Sequence, residues 1–124
     1  MNFIQTEKAP AAIGPYSQAV VLNGLVYTSG QIALTAEGIM LEKDIVIQTK
    51  QVMQNLRAVL AAAGSSLDKV VKATIFLDSM DDFAVVNEIY AEAFGTHKPV
   101  RSTVAVQTLP KNALVEIDVI AVVD

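Results

Sequence analysis

Ala19-Val20-Val21-Leu22-Asn23-Gly24-Leu25-Val26-Tyr27-Thr28-Ser29 is the stretch from which the fold is read. Two apolar, β-branched runs flank an Asn-Gly pair. Asn-Gly accepts the positive φ angles of a type I′ turn, whose twist matches that of paired strands. The stretch is therefore predicted as a β-hairpin. Upstream, Pro10 and Gly14-Pro15 mark an irregular segment. Downstream, the hydrophobic period changes from two to 3.6. Val52, Met53, Leu56, Val59, Leu60 and Ala63 fall on one helix face, with Lys50, Gln51, Gln54 and Arg57 opposite. This predicts a helix over Asp44–Ala63, capped by Asp44 and closed by Gly64.

Val70–Leu77 is an apolar, β-branched run of strand length. A second helix is predicted from Met80 to Phe94, with Ser79 as its cap, Asp81 and Asp82 at the positive end of its dipole, and Gly95 as its stop. Phe83, Val86, Tyr90 and Phe94 form its buried stripe. Two strands close the chain, Ser102–Val106 and Leu114–Val122. The order β-β-α-β-α-β-β describes an α+β mixed sheet with both helices on one face. No linker or repeat divides the sequence, so residues 1–124 read as one domain.

Composition bears on the other face of that sheet. The chain is 52% hydrophobic, 18% charged and only 6% aromatic, with a mean hydropathy of +0.43. No apolar run approaches the roughly 20 residues of a membrane-spanning helix. The apolar surplus therefore belongs either to strands covered on both faces or to a surface hidden between subunits. Two helices cannot cover both faces, which favours an open barrel closed by oligomerisation. The net charge is −4 and the nine basic residues are scattered, which opposes phosphate-backbone and anionic-membrane binding. Cysteine is absent, excluding thiolate chemistry. The N-terminus lacks the apolar core of a signal peptide, so a cytoplasmic location is expected.

No phosphate loop, nucleophile elbow or zinc motif is present. His97, the lone histidine, reads as a solvated loop residue, and Asp81 and Asp82 as helix-start residues. Strand parity isolates a more informative pair. Val115, Ile117, Val119 and Ala121 share one side of the last strand, leaving Glu116 and Asp118 on the other. Val104 and Val106 likewise leave Arg101 and Thr103 opposite them. If these two strands pair, Arg101 and Glu116 meet on the face without helices. There they form either an anion clamp with a water-orienting base or an ordinary exposed salt bridge.

Gly14-Pro15-Tyr16-Ser17-Gln18, Thr28-Ser29-Gly30-Gln31-Ile32, Arg101-Ser102-Thr103, Leu109-Pro110-Lys111 and Val115-Glu116-Ile117 occur in one order across nearly the whole chain. In this conjunction the sequence resembles the reactive intermediate deaminase family, also called Rid or YjgF-like. The resemblance implies a chorismate-mutase-like fold assembled as a homotrimeric barrel, with ligand sites in clefts between subunits. It implies hydrolysis of 2-iminobutanoate and 2-iminopropanoate to 2-oxo acids and ammonia, without a cofactor. Arg101 stands at the position that grips the substrate carboxylate, and Glu116 at the acid that holds the hydrolytic water. Tyr16, Ser29 and Asn87 match positions lining the cleft. Thr103 replaces the cysteine of many relatives at a position that works largely through its backbone. The implied partners are small 2-imino and 2-oxo acids and further copies of the chain, not nucleic acid or membrane. Two other readings remain at this point: a non-catalytic trimer that binds 2-oxo acids, and the ribonuclease once attributed to the family.

Overall fold

The computed structural model describes residues 1–124. Its elements are β1 (Asn2–Ile4), β2 (Ala19–Leu22), β3 (Leu25–Thr28), α1 (Ile45–Ala62), β4 (Val70–Leu77), α2 (Phe83–Phe94), β5 (Val100–Ala105) and β6 (Val115–Val122). They form one six-stranded sheet in the order β1-β2-β3-β6-β4-β5. The hairpin turns at Asn23 and Gly24, with φ of 53° and 78°, as its Asn-Gly sequence predicts. β1, an edge strand of three residues against β2, escaped the sequence reading because so short a run shows no period.

The two helices lie on one side of the sheet, as expected. All six residues of the first predicted stripe are buried, as are Val86, Tyr90 and Phe94 of the second. Asp44 caps α1 by accepting from the Ile47 N–H at 3.0 Å, and Gly64 takes φ +81° beyond its end. The second helix begins differently. Ser79 accepts from the Asp81 N–H at 3.1 Å and starts a single 3₁₀ turn, Met80–Asp82, before α2 proper. Beneath the helices, Val115, Ile117, Val119 and Ala121 of β6 are buried together with Ala73, Ile75 and Leu77 of β4. No helix is long and apolar enough to cross a membrane.

Strand order departs from the expectation at one decisive place. β5 and β6 are not neighbours: β4 separates them, parallel to β5 and antiparallel to β6. β6 also pairs antiparallel with β3. The long chain segments that carry each helix lead into strands that leave room for β6 between β3 and β4.

Buried amides fasten the loops to this frame. The Gln48 side chain, fully buried in α1, donates to Glu42 O at 3.0 Å and accepts from Leu114 N–H at 2.9 Å. It thus ties the segment before α1 to the start of β6. Gln48→Ala should cost about 2–3 kcal/mol, since it orphans buried backbone groups as well as leaving a cavity. A lowered denaturant midpoint with an unchanged slope is the expected observation.

Candidate functional site

The site is built where β3 parts from β6. Their ladder ends at Tyr27 opposite Ile120, and pairing resumes at Gln31 opposite Ile117. One strand thus advances four residues while the other advances three, which makes a bulge of Thr28-Ser29-Gly30. Thr28 Oγ1 fills the gap in the ladder by accepting from Val119 N–H at 3.0 Å. Ser29 is held outward: its N–H donates to Gln18 O at 2.9 Å, and its hydroxyl donates to Ser17 O. Gln18 is itself buried and donates to Pro10 O at 2.8 Å. The Gly14–Gln18 segment is thereby fixed against the bulge.

Gly30 lies directly beneath Glu116. A Cβ added to Gly30 would stand 2.3 Å from Glu116 Oε2 and 2.7 Å from its Cδ. Gly30 has no positive φ, so close approach of the carboxylate is what requires glycine here. Parity alone did not reveal this contact; the Thr-Ser-Gly sequence carries no turn signal that would.

An open cavity of about 650 Å³ lies over this contact, lined among others by Tyr16, Ser29, Gly30, Lys111, Glu116 and Asp118. Tyr16 is half exposed, and its hydroxyl accepts from Ile13 N–H at 3.3 Å. Lys111 and Asn112 both adopt left-handed backbone, φ 56° and 55°. Such a conformation costs an L-residue about 1–2 kcal/mol. Bonds from Asn112 N–H to Leu109 O and from Ala113 N–H to Pro110 O hold the turn, placing Lys111 at the cavity wall. Glu116 and Asp118 are not salt-bridged, the single ion pair of the chain being Lys69–Asp124. Burial, then the charge of Asp118, pushes the Glu116 carboxyl above its ordinary range. Burial also raises Asp118, against the lowering pull of Lys72.

Arg101 is elsewhere, which corrects the sequence expectation. It sits opposite Ala73 and on the helix face, whereas Glu116 sits opposite Phe76 and on the open face. The two side chains therefore point to opposite sides of the sheet, one strand apart, and do not meet within one chain. The alternation along β5 is the expected one, but its inside and outside are reversed. Val100 and Val104 are 65% and 46% exposed on the open face, while Arg101 and Thr103 turn toward α2.

Arg101 Nη1 donates to Asn87 Oδ1 at 2.6 Å, so Asn87 orients the guanidinium rather than capping a core carbonyl. The guanidinium carbon lies 5.0 Å from the Tyr90 ring centroid and 5.7 Å from that of Phe83, a cation–π seat. This group lines a second cavity of about 390 Å³ together with Phe94, His97 and Lys98. The hydroxyl of Tyr90, which lines this cavity, and that of Thr103 on the same side of β5 are buried without a partner. His97 is not solvated as expected: its Nε2 is 2.6 Å from Val70 O, and its ring is near Phe94. Of the residues singled out, Tyr16, Ser29 and Glu116 thus share one cavity, while Asn87 and Arg101 line the other. Thr103 is on the helix side of β5, as Arg101 is.

Comparison with known proteins follows the same outline. Residues 6–123 match the family model for Endoribonuclease L-PSP. The RutC family protein slr0709 of Synechocystis is 51% identical over 125 residues, covering 98% of this chain and 96% of its own length. Reactive Intermediate Deaminase A, chloroplastic, of Arabidopsis thaliana is 48% identical over 119 residues, 95% of this chain and 64% of that protein. The crystal structure of E. coli TdcF with bound serine superposes with a TM-score of 0.94 at 40% identity, covering 100% of both chains.

Proposed function

We propose, from the premise that this chain belongs to the Rid (YjgF-like) family, that it is an imine deaminase acting on short 2-imino acids. The observation that carries the reading is Glu116. It is a half-buried carboxylate without an ion pair, seated against Gly30 and facing an open cavity. Such a group holds a water molecule and accepts its proton. The relative from Arabidopsis, named for a deaminase of reactive intermediates, supports the reaction class.

The proposed site is completed across subunits. Arg101 and Glu116 point to opposite sides of one sheet, so a second copy supplies the guanidinium that faces a given Glu116. Three features favour a homotrimer built in this way. The open face carries exposed Val100, Val104, Tyr27 and Val122, an apolar patch of the kind that marks an interface. β5 has a free outer edge. Beside it, the buried hydroxyls of Tyr90 and Thr103 have no partner in the single chain. Sedimentation should give about three times 13.2 kDa.

In this arrangement Arg101 presents parallel N–H donors to the substrate carboxylate, with Asn87 fixing the fork. Glu116 takes a proton from water as the oxygen attacks C2 of the protonated imine. The resulting carbinolamine receives that proton on nitrogen, the regenerated Glu116 carboxylate takes the hydroxyl proton as the C–N bond breaks, and ammonia and the 2-oxo acid leave. Tyr16, Ser29 and Thr103 line the cleft. The chain itself thus supplies the water-activating and carboxylate-binding groups; 2-iminobutanoate and 2-iminopropanoate are the proposed substrates.

The test generates 2-iminobutanoate enzymatically and follows release of ammonia and 2-oxobutyrate. Acceleration over buffer is the expected result, and its absence overturns the reading. The rate should also fall on the acid side at a pH above the range of an ordinary glutamate. The sign follows from Glu116: its raised carboxyl takes up a proton sooner as pH drops, and the protonated form cannot accept one from water. A kcat/KM profile measures this limb.

The bound serine in TdcF favours a second reading, a trimer that binds small amino or oxo acids without turnover. Calorimetric binding of 2-oxobutyrate with no acceleration of imine hydrolysis would select it. A ribonuclease reading would require steeply salt-dependent RNA binding, against a net charge of −4.

A further inference from the structure

We propose that Asp118 sets the charge preference of the Glu116 cavity, so that it holds the protonated, cationic form of a C=N ligand over the neutral C=O compound of the same skeleton. This inference rests on the proposed imine chemistry and names a residue and a selectivity which that chemistry does not by itself require.

The alternation of β6 carries it first. Glu116 and Asp118 are two residues apart on the open face, so their Cα atoms are about 6.6 Å apart along the strand. Both line the same cavity, opposite Phe76 and Thr74 of β4. Neither is ion-paired, so neither charge is neutralised by a contact within the chain. The groups facing Asp118 from surrounding elements are few. β4 contributes the charge of Lys72, the turn before β6 contributes Lys111 and the N-terminal segment Tyr16 to the cavity wall, and β6 itself contributes Glu116. Of these, Lys72 favours the ionised form of Asp118, and Asp118 in turn raises Glu116.

The two ends of the ligand are therefore treated differently. Its carboxylate is matched by the guanidinium of Arg101 from another copy. Its other end meets two carboxylates against the single ammonium of Lys111 in a partly desolvated cavity, where the net negative charge favours a positive group and a neutral dipole gains little. A protonated imine satisfies both ends. The 2-oxo acid formed from it satisfies only one, so the same charge that captures substrate weakens the hold on product. Protonation also makes the imine carbon the better electrophile. Asp118 acts here through the charge of the bound group, as a specificity residue, while Glu116 handles the water.

Two stable ligands separate the effects: 2-aminobutyrate, with an ammonium group on C2, and 2-oxobutyrate, with a carbonyl there. Calorimetry at neutral pH measures both on the assembled protein. In Asp118→Asn the ratio of the two affinities should move about tenfold toward 2-oxobutyrate, the equivalent of one pKa unit of differential interaction. Asp118→Glu should restore the wild-type ratio. In the imine assay, both limbs of the Asp118→Asn pH profile should shift to lower pH, because Glu116 and the bound imine lose the same negative neighbour. An unchanged ratio, equal weakening of both ligands, or no rescue by Asp118→Glu overturns the proposal. Failure of the wild type to hydrolyse the imine overturns the deaminase reading instead, and the affinity ratio still reports the charge preference of the cavity.

Discussion

Mixing Arg101→Ala chains with Glu116→Gln chains should restore imine hydrolysis that neither variant supports alone. Each substitution by itself should lower kcat/KM by about 10²–10⁴-fold, the span of a positioned general base or its equivalent in binding. The loss in Arg101→Ala comes from the substrate carboxylate, which loses its bidentate partner. Glu116→Gln keeps the shape of the side chain and removes its ability to take a proton. The rescue follows from topology. β4 stands between β5 and β6, and the two side chains leave the sheet in opposite directions. A site containing both must draw them from different copies. In a closed ring of three, any mixed trimer has one junction where an intact Arg101 faces an intact Glu116. Random mixing in equal amounts makes about three-quarters of the rings mixed, so about a quarter of all sites are whole. Refolding the variants together and measuring ammonia release reads this fraction directly. If native mass spectrometry shows mixed oligomers while activity stays at the level of the separate variants, the two residues do not share a site.

How far the sequence leads is visible in that same pair. The hairpin, both helix stripes, the Asp44 cap and the side of β6 that is buried were all legible, because each rests on local period or turn chemistry. Parity also separated Arg101 and Thr103 from Val104. What parity cannot supply is which side of a strand faces the core, and the usual assumption of apolar in, polar out fails on β5. There the valines are exposed and the arginine turns toward α2, seated on Tyr90 and Phe83. Pairing order was equally beyond reach, since a helical crossover leaves open whether the last strand inserts between earlier ones. The reversed polarity of β5 is informative for the same reason that it misled. An edge strand with its valines outward links the apolar surplus of the composition to a particular exposed surface. His97 shows the smaller version of the problem. Its position after a helix stop says loop, but its bond to Val70 O is a tertiary contact that no local pattern records.

Gly30→Ala should lower kcat by about 10²-fold or more while leaving the fold and KM close to wild type. The added methyl would stand 2.3 Å from Glu116 Oε2 and within 2.9 Å of its Cγ, far inside van der Waals contact. The atoms in the way belong to a side chain, not to backbone, so the glutamate swings aside and the sheet stays intact. Gly30 also has no positive φ for alanine to violate, and the flanking Gln31–Ile117 pairing uses backbone groups that a Cβ does not touch. Thermal stability should therefore change little. Catalysis is less tolerant, because a base displaced by about 1 Å from the attacking water loses on the order of 10²-fold in rate. The carboxylate contact of Arg101 comes from another copy and does not involve Gly30, which keeps KM near its wild-type value. The Gly30→Ala/Glu116→Gln double variant distinguishes this account from a general loss of structure. If the methyl acts only by moving Glu116, it has nothing left to move once the base is gone, and the double variant matches Glu116→Gln. Multiplying losses with a large fall in Tm would instead assign Gly30 to the stability of the bulge.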